Sequence, residues 1–203
     1  MSAPTVRYEL KRDVAAQRIH FSAMFPEREG VWTLQLPTWR PGRYELGNFA
    51  QYVLWVEGMD SQGLRMRLPK QDLHAWLVPD GVRQVEWVFH ADILNAGSTC
   101  VEDDLFYVNP VNCFMYDLER QNLGAEVALT DLTLDPTSES GWALAVAMPW
   151  NERDGVPTMH ARNVQHLMDS PWMASPKLWH DSYREQDLDV HIWVHDTLPE
   201  DPA

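Results

Sequence analysis

The chain has 203 residues, of which 45% are apolar and ten are Trp, and its formal net charge is −14. That apolar content supplies one large packed core, excludes global disorder, and suits a single β domain rather than two complete domains. The first 70 residues hold ten Lys/Arg against seven Asp/Glu, and the remainder six against twenty-three, so nucleic acid and anionic membrane surfaces are excluded as expected partners.

In chain order, period-two alternation dominates. Val6, Tyr8 and Leu10 alternate with Thr5, Arg7, Glu9 and Lys11, the pattern of a strand with one wet face. Ile19, Phe21, Ala23 and Phe25 repeat it, as do Trp32, Leu34 and Leu36. Tyr52 to Val56 is apolar on both faces and predicts a central or doubly covered strand. Leu64, Met66 and Leu68 follow, then the longest run, Val85, Trp87, Phe89, Ala91 and Ile93. Glu29-Gly30, Pro41-Gly42, Asp60-Ser61-Gln62-Gly63 and Pro79-Asp80-Gly81 supply the reversals between them.

Phe114 to Leu118 predicts a short strand. Val127 and Leu129 take one parity and Leu132 and Leu134 the other, which places a bulge or break near Thr130-Asp131. Trp142, Leu144, Val146 and Met148 alternate again. In the last run Leu188, Val190, Ile192 and Val194 face one way, and His191, Trp193 and His195 the other. Only Arg43 to Ala50 and Asn163 to Met168 suit a helical turn or two. The spacing predicts an all-β fold, an antiparallel β-sandwich with one or two short helical turns, over residues 1–197. Residues 198–203, Leu-Pro-Glu-Asp-Pro-Ala, read as a linker-like tail. The start shows no signal peptide and no window reaches the length of a membrane helix, so a cytoplasmic location with reduced Cys100 and Cys113 is expected.

Reactive constellations are missing from the pattern. None of the eight His is followed by Glu, so there is no His-Glu-x-x-His zinc helix. His191 and His195 share a strand face about 13 Å apart at ~3.3 Å per residue, too far for one metal ion. Glu102-Asp103-Asp104 lacks the alternate oxygen ligands and glycine of a calcium loop and reads as a solvated loop. No Gly-x-Ser-x-Gly elbow or phosphate loop occurs. Trp32, Trp87 and Trp142 are in phase with aliphatic faces and read as core; Trp39, Trp150, Trp172 and Trp179 fall in irregular contexts and are candidates for exposure.

The most distinctive stretch is Leu36-Pro37-Thr38-Trp39-Arg40-Pro41-Gly42-Arg43-Tyr44. It resembles the Leu-Pro-x-Trp-x-Pro-Gly-x-Tyr signature in the N-terminal domain of the glycyl aminopeptidase family, PDZ-containing zinc metallopeptidases of the gluzincin group. Leu167-Met168-Asp169-Ser170-Pro171 is similar to that family's Leu-Val-Asp-Ser-Pro. Gly47-Asn48 departs from the family, which often carries an Arg and an acid there. The resemblance implies a non-catalytic N-terminal β domain that supports a following catalytic domain and shapes its substrate cleft. Its partner is then the catalytic domain of the same parent chain. It implies no catalytic or metal-ligating residue and no cofactor in this chain, zinc being expected only in the following domain. Trp39, Arg40, Arg43 and Tyr44 are the candidate interface or cleft-lining residues. The rival readings are a stand-alone binding module for peptide or carbohydrate, and a β scaffold for homodimers.

Overall fold

The computed structural model describes residues 4–40, 46–95, 97–135, 137 and 141–196. β1 (Thr5–Asp13) and β2 (Arg18–Met24) form the opening hairpin, followed by β3 (Trp32–Gln35), a 3₁₀ turn (Phe49–Tyr52), β4 (Val53–Met59) and β5 (Arg65–Arg67). β6 (Ala75–Val78), β7 (Gln84–His90), β8 (Cys100–Val101) and β9 (Phe106–Val108) lead to a helical turn, α1 (Pro110–Cys113). β10 (Tyr116–Asp117), β11 (Gly124–Leu129), β12 (Ala143–Val146), β13 (Trp150–Arg153) and β14 (Val156–Ala161) come next. The short α2 (Val164–Met168) precedes β15 (Trp172–Ser175), β16 (Leu178–Glu185) and β17 (Leu188–His195).

An eight-stranded sheet in the order β13-β14-β11-β1-β2-β7-β4-β5 forms one layer. Two smaller sheets, β10-β3-β6 and β12-β15-β9-β8, cover its inner face, which makes an all-β sandwich. The inward parity is the predicted one. Tyr8 pairs across with Ala23, Leu10 with Phe21, and Phe21 with Trp87, so these side chains form rows on a single face. Phe21 stacks on Trp87 at 4.7 Å, and Phe114 packs edge-on against both Tyr8 and Phe21 at 5.1 Å. The buried polar tips are satisfied by the segment that crosses the core: the Tyr8 hydroxyl donates to Met115 O at 2.9 Å and Trp87 Nε1 to Cys113 O at 2.9 Å. Burial pushes the Tyr8 hydroxyl far above its ordinary range, so it stays a donor.

Gly30, Gly63 and Gly81 all take φ between 78° and 81°, so three of the four predicted reversals turn through the left-handed region open to glycine; the fourth, Pro41-Gly42, lies outside the described residues. β11 ends at Leu129, as the parity change near Thr130-Asp131 requires.

Three expectations change. The sheet is not wholly antiparallel: β1 pairs with β11 in parallel, Thr5 with Gly124 through Leu10 with Leu129. β4 is central rather than doubly covered: it lies between β7 and β5 with Val56 buried, and a register shift between Val53 and Trp55 leaves Leu54 46% exposed. Trp172 is buried, packed edge-on to Phe106 at 4.8 Å, whereas Trp39, Trp150 and Trp179 are exposed. Trp142 is only partly buried and carries the Arg12 guanidinium 4.3 Å above its ring. The linker-like residues 198–203 lie outside the described residues.

Candidate functional site at the Leu-Pro-Thr-Trp-Arg loop

The signature segment leaves the sandwich at the end of β3. Leu36 is fully buried, and its N–H donates to His74 O at 2.8 Å. The loop closes where the Gly47 N–H donates to Thr38 O at 2.9 Å. A Cβ at position 47 would collide with the Phe49 ring, so glycine there lets the ring fold over the loop's foot. Trp39 is 48% exposed. Arg40 beside it is half-buried and lines a cavity of about 220 Å³. Arg43 and Tyr44 lie outside the described residues.

The cavity walls combine Phe49, Tyr52, Phe89 and Ile93 with polar groups of the 95–99 loop and Asn112. Tyr52 and Phe89 pack as tilted rings at 5.8 Å. The 95–99 loop is held by its own bonds: Asn95 N–H donates to Ser98 Oγ at 2.8 Å, and Gly97 N–H to Asn95 Oδ1 at 2.9 Å. Asn112 comes from α1, is 4% exposed, and donates from Nδ2 to Gly97 O at 2.7 Å. Its Oδ1 is buried without a hydrogen-bond partner. The Arg40 guanidinium lies directly over Gly97, where any Cβ would collide with it. Tyr107, on the neighbouring small sheet, feels that cation: burial raises its hydroxyl pKa and Arg40 opposes the rise. The site therefore sets the Arg40 guanidinium against a wall of apolar and polar groups, with the exposed Trp39 next to it in the chain.

The second signature has a local structural job. Asn163 caps α2 by accepting from the His166 N–H at 2.8 Å. Asp169 accepts from Gln165 Nε2 at 2.8 Å, and the Ser170 hydroxyl donates to His166 O at 2.6 Å. Asp169-Ser170-Pro171 thus ends α2 and aims the chain into β15.

The weaker candidates resolve in the same way. His191 and His195 do not converge: His191 meets His180 across the hairpin at 3.0 Å, and His195 approaches Asp104 at 4.0 Å. Asp104 also takes Lys177 Nζ at 2.5 Å, and Lys177 holds its carboxyl below the usual range. Cys100 and Cys113 are free and buried. Burial lifts the Cys100 thiol to about 11, with Glu102 adding to the effect, and pushes Cys113 higher still. Among the described residues no three His, Cys, Asp or Glu side chains stand close enough to share a metal ion. No helix among them is long and apolar enough to cross a membrane. Asn112 and the 95–99 loop escaped the sequence reading; Pro110 at the first position of α1, following Asn109, was the signal that a helical turn begins there.

Fold and site together describe an all-β sandwich with a cationic, aromatic surface cup. Residues 7–176 match the family model for the Peptidase M61 N-terminal domain, and the chain belongs to that family. No curated protein matches it. Among solved structures, an aminopeptidase N family protein from Idiomarina loihiensis superposes with a TM-score of 0.83 at 17% identity, over 97% of this chain and 33% of that one. An M1 zinc metallopeptidase from Deinococcus radiodurans gives a TM-score of 0.39 at 11% identity, over 95% of this chain and 46% of that one. The chain spans about one third of the length of the first of these.

Proposed function

We propose that this domain is the non-catalytic N-terminal part of a zinc metallopeptidase resembling the glycyl aminopeptidases. In that role it braces the catalytic domain, and Trp39 and Arg40 shape the approach to the substrate cleft. The observation that carries the reading is the signature loop itself. Arg40 lies over Gly97 in the cavity wall, and Trp39 beside it in the chain is 48% exposed, so an arginine and an indole of the signature both stand near the surface. A guanidinium suits a carboxylate, and an indole suits an apolar side chain or a cation. Zinc and the groups that handle the hydrolytic water belong, on this reading, to the catalytic domain.

The test uses a longer polypeptide containing these residues, assayed with aminoacyl and peptide substrates with and without a chelator. Arg40→Ala should raise KM by about ten-fold with kcat within about two-fold, the signature of lost ground-state binding. An unchanged KM would remove the cleft role. Robust turnover by the 203-residue chain alone would overturn the non-catalytic assignment.

A second reading, a binding module for peptide or carbohydrate, is favoured by one observation: Tyr107, Trp150 and Trp193 line a cavity of about 520 Å³. It requires a saturable change in Trp fluorescence on titration with oligosaccharides or peptides, and a flat response across such a panel removes it.

A further inference from the structure

β16 and β17 pair only with each other, from Leu178 opposite His195 to Glu185 opposite Leu188, and join neither face of the sandwich. Residues directly opposite share a face, so the register sorts the hairpin into two sides. One side carries His180, His191, Trp193 and His195, with His180 stacked on Trp193 at 4.0 Å. Near the hairpin's foot that side meets the body, where Trp193 lines the aromatic cavity with His191 and His195 reaches Asp104; His180 and His191 stay exposed. The opposite side carries Trp179, Tyr183, Leu188, Val190, Ile192 and Val194. None of these six belongs to the hydrophobic core, and Tyr183, Leu188 and Ile192 are 54%, 70% and 42% exposed. Apolar residues at every second position of β17, with Trp179 and Tyr183 beside them on β16, have the pattern of a buried sheet face, yet Trp179, Tyr183, Leu188 and Ile192 are exposed, and Val190 and Val194 are only partly buried. A two-stranded ribbon alone is marginal in water, and a contiguous apolar strip marks an interaction surface.

We propose that this apolar face is the seat of the catalytic part of a longer parent chain. The proposal rests on the peptidase reading above. The relative with the same fold has about three times the length of this chain, so a large body of further polypeptide accompanies such a domain. The foot of the hairpin's polar side already meets its own body through Trp193 and His195, which leaves the apolar side for that neighbour. A second copy fits poorly. Asp181 and Glu185 lie on the same apolar face, and a two-fold contact would set the strip against itself, acid near acid. The covering surface should therefore be apolar, with Lys, Arg or backbone N–H groups opposite those two carboxylates.

Amide hydrogen exchange over residues 178–195, compared between the longer polypeptide and the 203-residue chain, tests this. Exchange should slow by about ten-fold or more in the longer polypeptide. Ile192→Glu and, independently, Tyr183→Lys in that polypeptide should restore the fast rate, whereas Ser182→Glu on the other face should not. Equal rates in both chains, with chelator-sensitive peptidase activity present, overturn the proposal and leave the peptidase reading intact. A longer polypeptide without such activity overturns both. Sedimentation supplies the remaining outcome: a dimer of the 203-residue chain that Ile192→Glu dissolves, with no slowing in the longer polypeptide, replaces the proposal with self-association.

Discussion

Asp117→Ala should be the most damaging single change to a polar residue. Asp117 is 1% exposed and sits at the centre of a charge cluster. Arg28 Nη1 donates to its two oxygens at 2.9 and 2.8 Å, Arg120 Nε donates at 2.7 Å, and the Glu119 N–H donates at 3.0 Å. Arg120 also donates to Pro26 O at 3.0 Å and Glu27 O at 3.2 Å, so the cluster ties the β2–β3 connection to the turn after β10. Removing the carboxylate takes away the counter-charge that Arg28 and Arg120 share, leaving Glu119 as the remaining carboxylate on Arg28. Breaking a buried pair costs about 3–5 kcal/mol. The two arginines are 17% and 25% exposed on the side chain, so water compensates in part and the low end, about 3 kcal/mol, applies. For a chain of this size that corresponds to a loss of about 6–12 °C in Tm. Thermal melts followed by circular dichroism measure it, and a double-mutant cycle with Arg28→Ala should return a coupling of about 1–3 kcal/mol. The shift should survive added salt, because the carboxylate is shielded from solvent ions. A Tm loss below about 2 °C, or a coupling near zero, would refute the idea that this cluster anchors the connection.

Tyr8→Phe should cost about 1–2 kcal/mol by urea unfolding, since it leaves Met115 O buried without its donor. With Cys100 held at about 11, roughly one thousandth of it is thiolate at pH 8, and Cys113 offers less. Native protein should therefore react with a disulfide reagent at least about 100-fold more slowly than unfolded protein, which should release both thiols at once. The raised Cys100 pKa means that the unfolded chain loses this proton first, so stability should fall as pH rises from about 9 through about 11, as isothermal urea titrations would reveal. Gly97→Ala should push the guanidinium of Arg40 off its platform. It should reproduce the KM rise of Arg40→Ala while shifting the arginine Nε resonance and leaving Tm within about 3 °C.

Much of the sandwich was legible because alternation reports local faces. Val6, Tyr8 and Leu10 are buried as their parity demands, and so are Ile19, Phe21 and Ala23. Parity says nothing about which strands become neighbours, so the parallel docking of β11 on β1 was invisible across the intervening hairpins. It also misleads where a strand is short. β15 buries Trp172, Ala174 and Ser175 within four residues, and no period-two rule separates such a segment from a loop. β4 reads as doubly apolar, yet Leu54 sits at a register shift between Val53 and Trp55 and is exposed although it shares parity with the buried Val56, which period two alone does not foresee. At the site, Trp39 and Arg40 were legible from the turn chemistry around them. Gly97 and Asn112 were not, because they reach the cavity from loops whose meeting point is set by the packing of α1 and β8 rather than by sequence spacing.

The parallel register between β1 and β11 reaches beyond architecture. β1 occupies an interior place in the large sheet, yet one of its two flanks stays open until residues 124–129 arrive. During synthesis the opening hairpin must wait, with an unpaired edge, for more than half of the chain to emerge. The same stitching makes Thr5–Asp13 indispensable: a change that dislodges this strand opens the sheet in its middle rather than fraying its border.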